Sequence, residues 1–393
     1  MCRTHLVAER FPDRFGRGPG GGMPNRRVNR RRSRDAMPTL AALQATRRPV
    51  AMQQAFASAR RTSRVAENVL CTATLSDGGR GYGEASPAKY VTGETAATVL
   101  KDLARVADAL VGLEVERWRE WSGALREALT ESPTARSAVE IALLDALCRS
   151  LGLPLWKWFG GATEAVRSDF TVSLATPEDA EERARAAAAR GFRTLKVKVG
   201  GEDREADWQR VAAVARRAPG CVLRLDANQG FDVEGALGFL SRTQAAGVEV
   251  ELLEQPLPAD DWAGMARLTR RSPVPIIADE MATDARAVAR IATERTAHGV
   301  NLKVAKSGLL GALEMIAVAR AHGLQLMLGC MLESLPGLGA SVHLVCGTGA
   351  FDYLDLDSHL LLGLEATGVP FAQDGDRLSV ADSPPGLGWT PQP

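Results

Sequence analysis

Hydrophobic and polar positions follow two rhythms along the chain, and the change comes near residue 169. Before it, the β-like run 67–75 is followed by Asp77-Gly78-Gly79, a turn signal typical of hairpins, and then by a returning strand over 81–84. Helical periods follow over about 93–110, 114–129 and 132–151, and Gly152 and Pro154 end the last of them. The pattern predicts an α+β domain in this first part.

From Asp169 onward, short runs of apolar and β-branched residues alternate with helical stretches rich in alanine and arginine. Such alternation predicts parallel strands joined by crossover helices. Eight units over about 190 residues fit a closed (β/α) barrel better than an open doubly wound sheet, and no G-x-G-x-x-G follows the first strand. The predicted strands are Phe170–Leu174, Leu195–Val199, Val222–Asp226, Val250–Glu254, Ile276–Asp279, Gly299–Lys303, Leu324–Leu328 and Tyr353–Asp357.

Composition places the chain among ordinary globular proteins, and its 393 residues are enough for two domains. No apolar run is long enough to cross a membrane. The six cysteines have no CxxC spacing, which favours reduced core residues in a cytoplasmic protein over a disulfide framework or a zinc site. A homo-oligomer is compatible with this composition.

The net charge of +1 conceals an asymmetry. Residues 1–36 hold ten arginines and three acids, which leaves 38 of the 48 basic and 44 of the 47 acidic residues for the rest. Because the body is mildly acidic, neither nucleic acid nor a membrane is expected as a partner. The leader has no apolar core for a signal peptide, and no h-region follows its possible twin-arginine run at 30–34. We expect residues 1–36 to be a disordered basic tail, with Met37 as an alternative start.

The candidate chemistry begins at two lysines on one predicted strand. Lys196 and Lys198 stand at positions i and i+2, which point to the same side of a strand. Two ammonium groups side by side repel each other, so one of them is expected to lose its proton more easily and to serve as a general base. For this segment alone, an exposed strand face with two solvated lysines is the alternative.

Three carboxylates end consecutive predicted strands. Asp226, Glu254 and Asp279 follow one another at spacings of 28 and 25 residues, one βα unit each. Strand ends at the carboxyl face of a barrel are neighbours, so the three acids are expected to converge. They would repel one another unless a cation lies among them, and such oxygen ligands suit Mg²⁺. The alternative is that the acids cap the helices that follow.

A third lysine, Lys303, ends the sixth predicted strand, and Lys306 is the competing candidate three residues later. Lys303 is expected across the barrel mouth from Lys198, with the metal between them. This arrangement suggests chemistry on a carboxylate: one lysine removes the α-proton, the metal stabilises the enediolate, and the other lysine returns a proton from the opposite face. The predicted reaction is a racemisation or epimerisation.

These residues resemble the muconate-lactonising branch of the enolase superfamily, and most of all its dipeptide epimerases. The resemblance covers about 41–393 and implies an α/β fold: a (β/α)₇β barrel over 161–360, an α+β N-terminal capping domain over 37–160, and a C-terminal segment over 361–393 that returns to the cap. It also implies catalysis by Lys196, Lys198 and Lys303 with bound Mg²⁺. The motifs that carry it occur in order at barrel spacing: Lys196-x-Lys198, Asp226-x-Asn228, Glu254-Gln255-Pro256, Asp279-Glu280 and Lys303.

The resemblance further implies a small dipeptide as substrate. Asp355 and Asp357 match the pair that holds the substrate's N-terminal ammonium, and two carboxylates on one strand face make a good cation site. A structural helix or loop cap is the alternative for this pair. The other residues expected to line the pocket are Thr171, Ser173, Asn228 and Glu333.

A loop arginine suggests which dipeptide is bound. Arg61 matches the arginine that faces an acidic side chain in Ala-Glu epimerases, so L-Ala-L-Glu is the specific suggestion. Arg60 and Arg64 are adjacent alternatives. The chain departs from the family after the sixth strand, where Gly308-Leu309 replaces the usual glycine pair and leaves the shape of that turn open.

Three competing functions use parts of the same site. An N-acylamino-acid racemase needs the same lysines and metal. So does a lactonising or dehydrating enzyme such as o-succinylbenzoate synthase, which does not need Asp355 and Asp357. A non-catalytic metal-binding barrel would need neither Lys198 nor Lys303.

Overall fold

The computed structural model describes residues 37–58 and 61–391, without the side chains of residues 53–58 and 61. The leader 1–36, predicted to be a disordered tail, lies outside the described residues. The five described cysteines, at positions 71, 148, 221, 330 and 346, are free thiols. Within the described ranges, every helix is too short or too polar to cross a lipid bilayer.

The first part of the chain is an antiparallel sheet covered by helices. Its elements are β1 (Leu40–Ser58), β2 (Arg61–Leu75), β3 (Arg80–Ala85), α1 (Lys89–Thr92), α2 (Ala96–Leu110), α3 (Trp118–Ala128), α4 (Pro133–Ser150) and α5 (Leu155–Trp158). The strands pair in the order β1-β2-β3. At Gly81 and Gly83, a Cβ atom would overlap the backbone of α4. These two glycines therefore let α4 lie directly on β3.

The second part is a barrel of parallel strands. After a short strand β4 (Ala165–Arg167), the strands are β5 (Phe170–Val172), β6 (Thr194–Lys198), β7 (Val222–Asp226), β8 (Val250–Glu254), β9 (Ile276–Ala278), β10 (Gly299–Lys303), β11 (Gln325–Gly329) and β12 (Tyr353–Leu354). The connecting helices are α6 (Pro177–Ala189), α7 (Arg204–Arg217), α8 (Val233–Ala245), α9 (Trp262–Arg271), α10 (Ala285–Glu294), α11 (Val304–Ala321) and α12 (Leu335–Thr348).

Strands β5 to β12 form one sheet in chain order, and its two ends meet. The backbone N–H of Asp169 donates to the carbonyl of Leu354 at 3.2 Å, next to the first and last strands. Closure excludes the open doubly wound sheet. It confirms the predicted α/β fold, a (β/α)₇β barrel with an α+β domain before it.

Four helices of the barrel begin at an aspartate whose carboxylate accepts backbone N–H bonds, as N-cap residues do. These aspartates come several residues after the strand ends, so each helix has a cap that is separate from the strand. They are Asp203 for α7, Asp232 for α8, Asp261 for α9 and Asp284 for α10.

The C-terminal part contains α13 (Ser358–Leu361), β13 (Ala372–Asp374) and β14 (Arg377–Ser379). β13 pairs with β14, and β14 pairs with β4. It also reaches α4. The Asp145 carboxylate accepts the N–H of Leu387 at 2.6 Å and that of Tyr82 at 2.9 Å. One buried side chain of α4 thus links the end of the chain to β3.

The last strand is shorter than predicted, because it ends at Leu354 and not at Asp357. The N–H of Leu356 bonds to the hydroxyl of Ser168 at 2.7 Å and not to a neighbouring strand. Asp355 directly follows the strand, and its N–H still bonds to the carbonyl of Leu328 on β11 at 2.9 Å. The predicted strand position is wrong for Asp357, which lies three residues beyond the end of β12.

Candidate active site

A cavity opens at the carboxyl ends of the barrel strands. One side of its lining is polar, and the other is largely apolar. The polar side consists of Thr171, Lys196, Lys198, Asn228, Asp279, Glu280, Lys303, Asp355 and Asp357. The other consists of Tyr90, Val91, Cys330, Met331, Leu332 and Leu361.

The strand register places the first lysine beside two of the acids. Lys198 on β6 pairs with Asp226 on β7, which pairs with Glu254 on β8. The Nζ atom of Lys198 lies 2.5 Å from Oδ2 of Asp226. Asp226 and Glu254 are fully buried next to the cavity.

Lys196 lies deeper than Lys198 and is surrounded by carboxylates. Its Nζ atom lies 2.6 Å from Asp355, 2.7 Å from Glu254 and 3.0 Å from Asp226. Burial alone would lower the pKa of Lys196, but these carboxylates raise it well above its usual value. With Lys196 only 1 % and Lys198 only 7 % exposed, the alternative of two solvated lysines is wrong. The geometry makes Lys196 a fixed cation among three acids.

Lys303 and Lys306, the two candidates for the second base, both contact Asp279. Lys303 Nζ lies 2.7 Å from Oδ2 of Asp279, and Lys306 Nζ lies 2.5 Å from Oδ1 and 2.7 Å from the backbone carbonyl of Asp279. Lys303 lines the cavity, whereas Lys306 does not. Because β6 and β10 are four strands apart in an eight-stranded barrel, Lys198 and Lys303 face each other across it.

The three acids have the chemistry of a site for a hard divalent cation. Burial alone would raise the pKa of Asp226, but Lys196 and Lys198 lower it to about 2. Burial would also raise the pKa of Asp279, but Lys303 and Lys306 lower it below its usual value. Burial, followed by the charge of Asp226, raises the pKa of Glu254 to about 7. One acid of the set thus lacks a full counter-charge, and carboxylate oxygens are the ligands that Mg²⁺ prefers.

The helix-cap alternative fails for these acids. The helices that follow β7 and β9 are capped by Asp232 and Asp284, not by Asp226 or Asp279. The Asp226 carboxylate does accept the N–H of Asn228 at 3.0 Å, but this bond lies within the turn. The donor chemistry of the three buried carboxylates suits Mg²⁺, and their role as its ligands stays a prediction.

A second cluster of acids lies at the seam between β12 and β5. Oδ2 of Asp357 accepts the N–H of Thr171 at 2.6 Å, and Oδ1 of Asp355 lies 3.2 Å from the Thr171 hydroxyl. One ligand atom each of Cys330, Asp355 and Asp357 lie within 4.8 Å of one another. Burial, followed by the charge of Asp355, raises the pKa of Asp357 to about 7. A cationic group brought into the cavity would relieve this repulsion.

Two residues expected in the pocket lie outside its lining. The hydroxyl of Ser173 accepts a hydrogen bond from Arg183 at 3.2 Å. Glu333 is buried, and burial followed by the charge of Glu84 raises its pKa to about 8. Besides Glu84 of β3, the cavity-lining Lys303 also acts on its pKa, in the lowering direction.

The loop arginines leave the predicted acidic subsite untested. The side chain of Arg61 and all of Arg60 lie outside the described residues. Arg64, the third candidate, is exposed on β2.

Sequence reasoning also missed the apolar side of the cavity. Tyr90 and Val91 come from α1 of the first domain, and no local pattern marks such residues.

Comparison with known proteins identifies the family of this chain. Residues 41–160 match the mandelate racemase / muconate lactonizing enzyme N-terminal domain, and residues 179–393 match the enolase C-terminal domain-like family. The chain is 40% identical over 344 residues to the aromatic dipeptide epimerase of Herpetosiphon aurantiacus, which covers 88% of this chain and 97% of that protein.

Solved structures show the same fold. A substrate-liganded L-Ala-D/L-Glu epimerase from Bacillus subtilis superposes with a TM-score of 0.86 at 31% identity, over 89% of this chain and 98% of that one. A dipeptide epimerase from Enterococcus faecalis V583, complexed with Mg and L-Leu-L-Tyr, gives a TM-score of 0.84 at 28% identity, over 89% and 99%. The chain therefore belongs to the enolase superfamily, among the dipeptide epimerases of its mandelate racemase and muconate lactonizing branch.

Proposed function

We propose that this enzyme is a Mg²⁺-dependent dipeptide epimerase that inverts the α-carbon of the C-terminal residue by proton transfer between two lysines. The observation that supports it most is the placement of Lys198 and Lys303 on opposite sides of the barrel, each beside an acid of the predicted metal site. The E. faecalis relative, complexed with Mg and a dipeptide, supports the same cofactor and substrate class.

The chain's own residues divide the work. Asp226, Glu254 and Asp279 would hold Mg²⁺, which would supply positive charge to stabilise the carboxylate as negative charge develops there. One of Lys198 and Lys303, in its neutral form, takes the α-proton, and the other, as an ammonium, gives a proton to the opposite face. The roles exchange for the opposite epimer. Lys196 keeps the buried carboxylates around it compensated.

Asp355 and Asp357 bind the free amino terminus in this proposal. The substrate's α-ammonium would place a positive charge beside Asp357. Binding there would also fix the distance from the amino terminus to the reacting α-carbon. Cys330 lies against the same two carboxylates. Among the competing functions, lactonisation has no use for such a site.

The double substitution Asp355→Asn/Asp357→Asn is expected to remove the preference for a free amine. A charge-assisted hydrogen bond is worth roughly 1.5–3 kcal/mol, so wild type should favour a dipeptide over its N-acetylated form by at least about tenfold in kcat/KM. Rates of α-proton exchange in D₂O measure both substrates. The exposed Asp374→Asn change should keep the preference. Equal rates for the two substrates in wild type would favour an N-acylamino-acid racemase.

The side-chain class of the substrate follows from the other side of the cavity. Among the described residues, Tyr90, Val91, Met331, Leu332 and Leu361 offer apolar surface there. An apolar side chain placed on this wall gains from leaving water, whereas a carboxylate would lose its hydration without a partner. We therefore propose a dipeptide whose side chain at this wall is apolar, in place of L-Ala-L-Glu.

A direct comparison of L-Ala-L-Phe with L-Ala-L-Glu tests this choice. We expect kcat/KM to favour the phenylalanine dipeptide by at least about tenfold, since an unpaired buried polar group costs roughly 1–3 kcal/mol. Leu332→Ala should reduce the rate with L-Ala-L-Phe more than the rate with L-Ala-L-Ala. A preference for L-Ala-L-Glu would instead show that a cation, such as Arg61, recognises an acidic side chain.

A further inference from the structure

Helix α11, which follows the catalytic strand β10, is broken inside. Gly308 has φ 71° and ψ 172°, and it alone is non-helical within α11. The break separates a first turn, which carries Lys306, from the longer part that starts at Leu309. The family pattern has two glycines at this turn. Here Gly308 alone forms it, because Leu309 is already helical.

A buried acid from the first domain lies against this break. Glu140 of α4 is 2 % exposed, and its Oε2 atom accepts the N–H of Leu310 at 3.0 Å. The first N–H groups of a helix have no partner inside it, so Glu140 satisfies one of them from another domain. A Cβ atom at Gly308 would overlap the Glu140 carboxylate, which fixes how closely the two backbones approach.

The same break is tied to the catalytic lysine. The Ser307 hydroxyl lies 3.2 Å from the carbonyl of Lys303 and 2.8 Å from that of Gly308. Lys303 immediately precedes the first turn, and its side chain reaches Asp279 from there. A shift of the break would therefore move the backbone from which Lys303 extends.

We propose that Glu140 is a positioning residue for Lys303: from the first domain, it holds the break in α11 and so fixes the base that serves one face of the substrate. This inference rests on the two-lysine mechanism proposed above. Lys198 stands on β6, on the opposite side of the barrel from β10, the strand that leads into α11. Loss of Glu140 should therefore affect the two substrate epimers unequally.

The test measures α-proton exchange in D₂O from each epimer separately. Lys303→Ala first identifies which epimer Lys303 serves, because exchange from that epimer is lost. Glu140→Ala should then reduce exchange from that epimer by about 10- to 100-fold, the scale expected for a misplaced catalytic group, and leave the other within about threefold. Glu140→Gln keeps an acceptor oxygen for Leu310, so it should restore both rates to near the wild-type values.

A matched control and a second variant keep the test decisive. Glu314 of α11 also links to the first domain, through Arg126 at 2.8 Å, but on the surface, and Glu314→Gln should change neither rate. If Glu140→Ala does not fold, Gly308→Ala, which crowds Glu140 at the break, should show the same epimer-selective loss. An equal loss from both epimers would overturn the inference. No exchange from either epimer in wild type would overturn the proposed mechanism instead.

Discussion

Replacement of either catalytic lysine is expected to stop epimerisation while exchange survives from one epimer. In Lys303→Ala, Lys198 still removes and returns the α-proton on its own face, so only the epimer that it serves should take up deuterium. Lys198→Ala should leave exchange of the other epimer. A general base contributes roughly 10²- to 10⁴-fold to a rate, so conversion between epimers should fall by at least that much in both variants. Mass spectrometry after incubation in D₂O measures exchange, and chiral chromatography measures conversion.

An exposed lysine provides the control for this pair. Lys101 lies on the surface of α2, and Lys101→Ala should retain conversion and exchange of both epimers. Equal loss of exchange from both epimers in both lysine variants would argue against two bases. Lys306 makes a further distinction: it contacts Asp279 but not the cavity, so Lys306→Ala should not show the one-epimer pattern.

The second large effect is expected from the metal site. Asp226→Asn removes one ligand charge, so Mg²⁺ affinity should fall by at least about 10- to 100-fold, the range seen even for residues outside the ligand set. Turnover at limiting Mg²⁺ should fall with it, since the charge that stabilises the developing anion is lost. Calorimetric titration with Mg²⁺ measures the affinity without relying on activity.

The exposed acid Asp260, in the loop after β8, supplies the control, and Asp260→Asn should bind Mg²⁺ as wild type does. Excess chelator should abolish activity of wild type, and added Mg²⁺ should restore it. Full activity in excess chelator would contradict a metal-dependent mechanism.

The barrel and its charged residues could be predicted because both follow from local pattern. Apolar runs at regular spacing gave parallel strands, and polar residues at strand ends had to share one face of a barrel. Lys198, Asp226 and Glu254 lie on three successive βα units, which predicts that they are neighbours, and the observed register pairs them in that order. The turn at Gly308 was left open by the sequence, because the residue packed against it, Glu140, lies far away in the chain.

Other features depend on packing between distant segments. The alternation of residues predicts that Lys196 and Lys198 share one face, but it does not predict that Lys196 is the more deeply buried. That difference goes with the contact of Lys196 with Asp355 of the eighth unit. The apolar wall includes Tyr90 and Val91 of the first domain, and no periodicity marks them. Glu333 was expected in the pocket by resemblance. It is absent from the lining, although the charges of both Glu84 and Lys303 act on it.

The most direct test of the account is incubation of the wild-type enzyme with an apolar L,L-dipeptide and Mg²⁺ in D₂O, followed by chiral chromatography and mass spectrometry. We expect the L,D-epimer to accumulate and both epimers to carry one deuterium, at the α-carbon of the C-terminal residue. Recovery of unlabelled L,L-dipeptide across a broad panel of dipeptides would contradict it.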